Sequence, residues 1–171
     1  DVRGSTSIAE GMSPTEFGRL IDRFYKVASQ IMVQSDALID KIIGDQAAGM
    51  YVPGIAGPDH ALQAVEAAQE MLRATGHGAS EDPWIPLGIG VHTGIAFVGA
   101  VGSDKGTVDI TVLGDSANTA ARLSGSAAQG EILISEPAFV AAGLRLDQPE
   151  RRSLTLKGKS DVVPVYVLKS Q

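Results

Sequence analysis

Apolar residues recur at Phe17, Leu20, Ile21, Phe24, Ala28 and Ile31, the spacing of a single stripe along a helix. Ser13-Pro14-Thr15-Glu16 stands directly before that stripe. A Ser in the cap position, a Pro at the first helical position and a Glu closing a capping box form a strong helix start. The pattern therefore predicts a helix over residues 14–34 that buries one face. From Ala37 to Ile43 the chain turns aliphatic and β-branched, Gly44-Asp45 interrupts it, and Ala47 to Val52 resumes the apolar run. That predicts a hairpin with Gly44-Asp45 at its tip. Pro53, Gly54, Gly57 and Pro58 mark a loop, after which Ala61, Leu62, Val65, Ala68, Met71 and Leu72 predict a second amphipathic helix.

Gly76 to Pro83 is a polar connector. Ile85 to His92 followed by Ala96 to Val101 predicts a second hairpin turning at Thr93-Gly94, with a short strand near Val108–Leu113 after it. Gly114-Asp115-Ser116 supplies cap chemistry for a helix carrying Ala117, Ala120, Ala121 and Leu123. A strand (Ile132–Ile134), a short helix (Glu136–Ala142) and strands around Leu154–Leu156 and Val162–Leu168 complete the chain. Neither a repeat nor a low-complexity tract divides it, so residues 1–171 are expected to form one domain, α/β or α+β. The mixture of hairpins and helices argues against a fully parallel doubly wound sheet.

Composition narrows the functions open to such a domain. The 171 residues carry 14 Lys+Arg against 20 Asp+Glu, a net charge of −6. An acidic chain is poorly suited to gripping a phosphate backbone, which depends on Lys and Arg, so no nucleic-acid partner is expected. Cysteine is absent, which removes disulfides, thiolate metal sites and Cys nucleophiles. Any metal must be held by oxygen or imidazole ligands, which favours hard cations. No stretch approaches the roughly 20 apolar residues of a membrane span. Asp1-Val2-Arg3-Gly4-Ser5 has neither the basic flank nor the apolar run of a signal peptide, and no starting Met. The chain is thus expected to be a cytoplasmic domain of a longer protein, which leaves room for a regulatory domain or a membrane anchor elsewhere.

Several residues stand out as candidates for chemistry. Asp45 at a hairpin tip is a carboxylate exposed on a rigid support, although a turn Asp bonding its own backbone is the plain alternative. Asp1 precedes Gly4-Ser5-Thr6, a small-residue loop whose backbone N–H groups are suited to phosphate oxygens; an ordinary strand-to-helix turn is the alternative there. Two carboxylates on neighbouring strands would hold a pair of divalent ions. Lys41 shares strand parity with Asp45 and sits inside an aliphatic run, either for function or as an edge lysine that blocks aggregation. Asn118 and Arg122, four apart, share one face of a helix, suited to a ribose and a developing phosphorane charge or simply to solvent. Gly158-Lys159-Ser160 lacks the upstream glycine of a P-loop, Ser153 standing there, and Gly88-x-Gly90 lies in a strand instead of opening a helix. His92 has no ligand neighbour at metal spacing and no convincing Ser partner, and is expected to be structural.

Together these segments resemble the catalytic domain of class III adenylyl/guanylyl cyclases over nearly the whole chain. The matching blocks are Asp1-Val2-Arg3-Gly4-Ser5-Thr6, Lys41-Ile42-Ile43-Gly44-Asp45, Gly88 to Gly94, Thr111 to Leu123, and Leu156-Lys157-Gly158-Lys159. The resemblance implies an α+β fold with a ferredoxin-like palm core (βαββαβ) and additional C-terminal strands and a helix. It implies an adenylate cyclase that converts ATP to 3′,5′-cyclic AMP and pyrophosphate, with Asp1 and Asp45 binding two divalent cations, Mg²⁺ or Mn²⁺. Lys41 and Thr111 take the base-reading positions, a pair that favours adenine because Lys donates to N1. Asn118 resembles the ribose-orienting asparagine, Arg122 the transition-state arginine, and Lys157 (or Lys159) the lysine on the terminal phosphates, with Gly4, Ser5 and Thr6 assisting. Such sites lie between two subunits, so a homodimer with two equivalent sites is implied. A guanylate cyclase and a catalytically silent nucleotide-binding regulatory domain are the alternatives. Ser5 stands where the family often has Phe, Thr111 where Asp is commoner, and Ile95 where some members have a phosphate-binding Arg.

Overall fold

A computed structural model describes residues 1–78, 82–102, 108–156 and 162–169. In chain order the elements are α1 (Ser5–Glu10), α2 (Pro14–Gln34), β1 (Leu38–Ile43), β2 (Gln46–Met50), α3 (Pro53–Ala56), α4 (His60–Ala74), β3 (Gly88–Val91), β4 (Phe97–Gly102), β5 (Val108–Leu113), α5 (Asp115–Ser126), β6 (Glu131–Ser135), α6 (Glu136–Ala141), β7 (Glu150–Thr155) and β8 (Val162–Lys169). Ser13 caps α2 as its sequence requires: its side chain accepts from the Glu16 amide, Glu16 reaches back, and Pro14 opens the helix.

The four-stranded sheet runs β3-β6-β8-β7, with β3 parallel to β6 and the other pairs antiparallel. Every residue of β6 is buried, because helices cover both of its faces. On one side Ile132 and Ile134 pack with Phe24, Ala28 and Ile31 of α2 and Val65, Ala68 and Leu72 of α4. On the other, Leu133 packs with Leu123, Ala127, Val165 and Val167. The alternation along β6 is the period-2 geometry of a strand, and each fully buried Leu or Ile contributes roughly 1.5–3 kcal/mol. The fold is α+β, as the resemblance implied.

The second hairpin differs from expectation. β3 does not turn back at Thr93-Gly94 onto β4; β4 pairs antiparallel with β5, Phe97 opposite Leu113 and Val98 opposite Val112. Physically, Ile85 to Val91 is nearly continuous in apolar residues, as suits a strand covered on both faces and paired in parallel. Gly88 and Gly90 also bring the α5 backbone against β3 too closely for side chains on that face: a Cβ on Gly90 would lie 2.3 Å from the Ser124 amide nitrogen. Two smaller differences concern local capping. Ser5 and Thr6 belong to the short helix α1, not to a loop, with Gly4 at φ 65° as its cap. The cap of α5 is Gly114, so Asp115 and Ser116 lie inside its first turn.

The N-terminal segment is held from two sides. Val2 forms an antiparallel bridge to Leu87, with Arg3 N–H donating to Pro86 O at 2.8 Å and Gly88 N–H to Asp1 O at 3.0 Å. Buried His77 fixes the partner segment: its Nε2 accepts from the Leu87 amide at 3.3 Å and its Nδ1 pairs with Thr75 Oγ1 at 3.0 Å. Burial lowers the His77 pKa, a backbone bond to Leu72 partly opposing it, which keeps the acceptor nitrogen unprotonated. His92, expected to lack a Ser partner, meets one 43 residues on: Nδ1 lies 2.8 Å from Ser135 Oγ. That hydroxyl also caps α6 through the Ala138 amide, so the contact is structural. Among the described residues no helix is long and apolar enough to cross a membrane.

Candidate active site

Asp45 follows Ile43-Gly44 at the tip of the β1–β2 hairpin, where Gly44 takes φ 64°, a conformation that disfavours any side chain. Tyr25 Oη donates to Gly44 O at 2.7 Å, so α2 holds the tip. The backbone of Asp45 is joined to the N-terminal segment by Val2 N–H donating to Asp45 O at 2.9 Å. Its carboxylate accepts a short hydrogen bond from the Ser5 hydroxyl. Asp1 and Asp45 thus stand on adjacent segments, and Asp45 lines a groove of about 660 Å³ together with Ser5, Thr6, Phe17, Gly18 and Tyr25.

Arg3, which sequence reasoning passed over, is drawn to this pair. Its guanidinium forms an ion pair with Asp1 and donates to Gly125 O at 3.0 Å and Ala127 O at 3.3 Å, at the C-terminal end of α5, where unpaired carbonyls favour a cation. Burial lowers the Arg3 pKa, while the nearby Asp45 charge acts the other way. Both carboxylates act on this guanidinium, Asp1 through the ion pair and Asp45 through its charge. Carboxylate oxygens are the hard donor type that Mg²⁺ and Mn²⁺ take.

Lys41 and Thr111 meet elsewhere. The register of β1 against β2 shifts between Ile39 and Lys41, a bulge that re-aims the side chains there. Asp40, absent from the sequence-based candidates, points inward with 6% of its side chain exposed and lies 3.7 Å from Lys41 Nζ. Thr111 Oγ1 donates to Asp40 Oδ1 at 2.6 Å, and the Val112 amide donates to the same oxygen at 3.2 Å. Thr111 is itself buried. Two residues 70 positions apart are therefore tied through one carboxylate.

Asn118 is exposed and Arg122 half-buried on α5, which packs through Leu123 against the opposite side of the sheet from α2 and α4. The carboxylate pair and the Lys41–Asp40–Thr111 group lie on the order of 10 Å apart along the β1 strand and its turn. Lys157 and Lys159 lie outside the described residues. The β4–β5 hairpin and its approach expose Ile95, Phe97, Val98, Val101, Ile110 and Leu113. A two-stranded hairpin with so much apolar surface is marginal unless something packs on it.

The α+β domain thus carries Asp45 at the β1–β2 tip, joined through Val2 to the segment that bears Asp1, and a Lys41–Asp40–Thr111 cluster where β1 meets β5. A family model described as the adenylate and guanylate cyclase catalytic domain matches residues 1–170; the chain belongs to that family. It is 32% identical over 99% of its length to an adenylate cyclase of Anabaena cylindrica, covering 36% of that protein. It is also 32% identical over 73% of its length to adenylate cyclase 1 of Rhizobium meliloti (strain 1021), covering 19%. The chain therefore spans little more than a third of such relatives at most.

Among solved structures, the guanylyl cyclase Cya2 superposes with a TM-score of 0.85 at 30% identity, over 98% of this chain and 87% of that one. The adenylyl cyclase CyaB from P. aeruginosa gives 0.77 at 27% identity, over 100% and 91%. The ferredoxin-like palm expected from the resemblance fits this likeness.

Proposed function

We propose that this chain is an adenylate cyclase domain, converting ATP to 3′,5′-cyclic AMP and pyrophosphate at two sites shared between two copies. The observation that carries the reading is the meeting of Lys41 and Thr111 at Asp40, apart from the Asp1–Asp45 pair, within a fold of the cyclase family. A base reader and a carboxylate pair some distance apart on one copy suit a site completed by the second copy. The exposed apolar residues of the β4–β5 hairpin are the surface that such a copy would cover.

In this reading Asp1 and Asp45 hold two divalent cations, Mg²⁺ or Mn²⁺. When bound, such ions lower the pKa of the ribose 3′-hydroxyl and neutralise the triphosphate charge. Ser5 and Thr6 border the groove where phosphate oxygens would lie, with Gly4 shaping their turn. From the partner copy, Lys41 donates to adenine N1 and Thr111 accepts from the 6-amino group. Asn118 orients the ribose so that the 3′-hydroxyl gives its proton to solvent, its oxygen bonds to the α-phosphorus, and the opposite bond from that phosphorus to the pyrophosphate oxygen breaks in line. Arg122 stabilises the charge that develops on the α-phosphoryl oxygens. Lys157 is assigned to the terminal phosphates.

The test is to incubate the purified domain with ATP and, separately, GTP in Mn²⁺, resolving the products by chromatography over a range of protein concentrations. Cyclic AMP in clear excess, with specific activity rising with concentration as copies pair, is the expected result. Preferential formation of cyclic GMP would overturn the Lys41/Thr111 reading. Nucleotide binding without either product would point to a silent regulatory domain.

A further inference from the structure

The base-reading residues have a third member. We infer that Asp40 is the positioning residue that fixes which way the 6-position of a purine is read, a conclusion that rests on the assignment of Lys41 and Thr111 as base readers. A threonine hydroxyl is ambiguous: it can donate to a 6-oxo group or accept from a 6-amino group. Left to rotate, it tolerates both. Here its hydrogen is committed, because Thr111 Oγ1 donates to Asp40 Oδ1 at 2.6 Å and the carboxylate is only 6% exposed. An ionised carboxylate is acceptor-only, so the bond runs one way and leaves Thr111 with lone pairs alone for a ligand.

The other oxygen, Oδ2, lies 3.7 Å from Nζ of Lys41, the second reader and a donor-only side chain. The Val112 amide, at 3.2 Å, pins the carboxylate in place. The cluster thus presents one donor and one acceptor side by side. Adenine, with an acceptor at N1 and a donor at its 6-amino group, matches that order. Hypoxanthine and guanine, with a hydrogen on N1 and an oxygen at position 6, present the reverse and leave buried polar groups unpaired. Specificity in this account depends on repelling the wrong base as much as on binding the right one.

Asp40→Asn tests it with minimal change of shape. The new amide N–H can donate to Thr111 Oγ1, which frees the hydroxyl hydrogen to turn toward a 6-oxo group. The measurement is kcat/KM for ATP, inosine triphosphate and purine riboside triphosphate, which lacks the 6-amino group. The ATP to inosine triphosphate ratio is expected to fall at least about tenfold in the variant, and the ATP to purine riboside ratio to fall with it. Asp40→Ser, which removes the fixed acceptor by another route, should move both ratios the same way. If either variant turns over too slowly, competition binding of the same three nucleotides reads the same ratios.

A purely structural role for Asp40 would lower all three substrates in proportion, and unchanged ratios would overturn the inference. Lys41→Ala and Thr111→Val separate the two levels of the argument. If they too leave the ratios at the wild-type values, the base-reading assignment itself fails; if they shift the ratios and the Asp40 variants do not, only the role of Asp40 fails.

Discussion

Asp45→Ala is expected to lower cyclic nucleotide formation about a thousandfold or more while the protein stays folded. In the proposed mechanism this carboxylate would help Asp1 hold the cations, and several kcal/mol of charge stabilisation at the reacting phosphate would depend on it. The hairpin around it has other supports. Tyr25 holds Gly44 O, the Val2 amide holds Asp45 O, and both bonds involve backbone atoms that the substitution leaves in place. Only the short bond from Ser5 is lost. The loss should therefore appear in product assays and not in the far-ultraviolet circular dichroism or the urea midpoint. Activity within tenfold of wild type would remove Asp45 from the chemistry.

Gly90→Ala is expected to damage stability and activity together, by about 3 kcal/mol in the urea unfolding free energy, since overpacked methyl groups force backbone shifts of that order. The new Cβ would lie 2.3 Å from Ser124 N, 2.5 Å from Ala120 O and 2.8 Å from Leu123 Cβ. Two of these are backbone atoms of α5 that cannot swing aside as a side chain would. The helix must back away from β3, and it carries Asn118 and Arg122. Gly18 is the control: it lies inside α2 with nothing within 4 Å of a new Cβ. Gly18→Ala should gain up to about 1 kcal/mol in the same urea measurement, because alanine loses less entropy in a helix. Equal stability of Gly90→Ala and wild type would contradict the close approach of α5.

What the sequence disclosed follows from how local each signal is. Helix α2 was legible to the residue because its capping box, Pro14 and apolar stripe all lie within its own span. The β1–β2 hairpin was legible because Gly44 marks a tight turn between two short runs. The partner of β3 was not, since a continuous apolar run does not say which strand it pairs with, and its parallel neighbour β6 lies beyond a hairpin and a helix. Gly88 and Gly90 were recognised as foreign to a dinucleotide fingerprint, yet their use in seating α5 needs the helix in place to be seen.

Asp40 shows the same limit inside the site. The sequence drew notice to Lys41 as a charge within Leu38-Ile39-Asp40-Lys41-Ile42-Ile43, and the same reasoning applies to the residue beside it. On a strand one of two adjacent charges must face inward, and an inward carboxylate needs donors. Those donors, Thr111 and the Val112 amide, come from a strand about 70 residues later, which no local pattern could supply. Arg3 lay hidden for a similar reason, because its partners at Gly125 and Ala127 are remote in the chain.

The central claim, that each site draws its carboxylates from one copy and Arg122 from the other, is tested most directly by mixing two inactive proteins. Asp45→Ala and Arg122→Ala, each without activity alone, are combined in equal amounts and assayed for cyclic AMP. Random pairing makes about half of the dimers mixed, and each mixed dimer holds one intact site of two, so recovery of up to about a quarter of the wild-type rate is expected. A mixture as inactive as its components, with dimers present by sedimentation, would contradict shared sites.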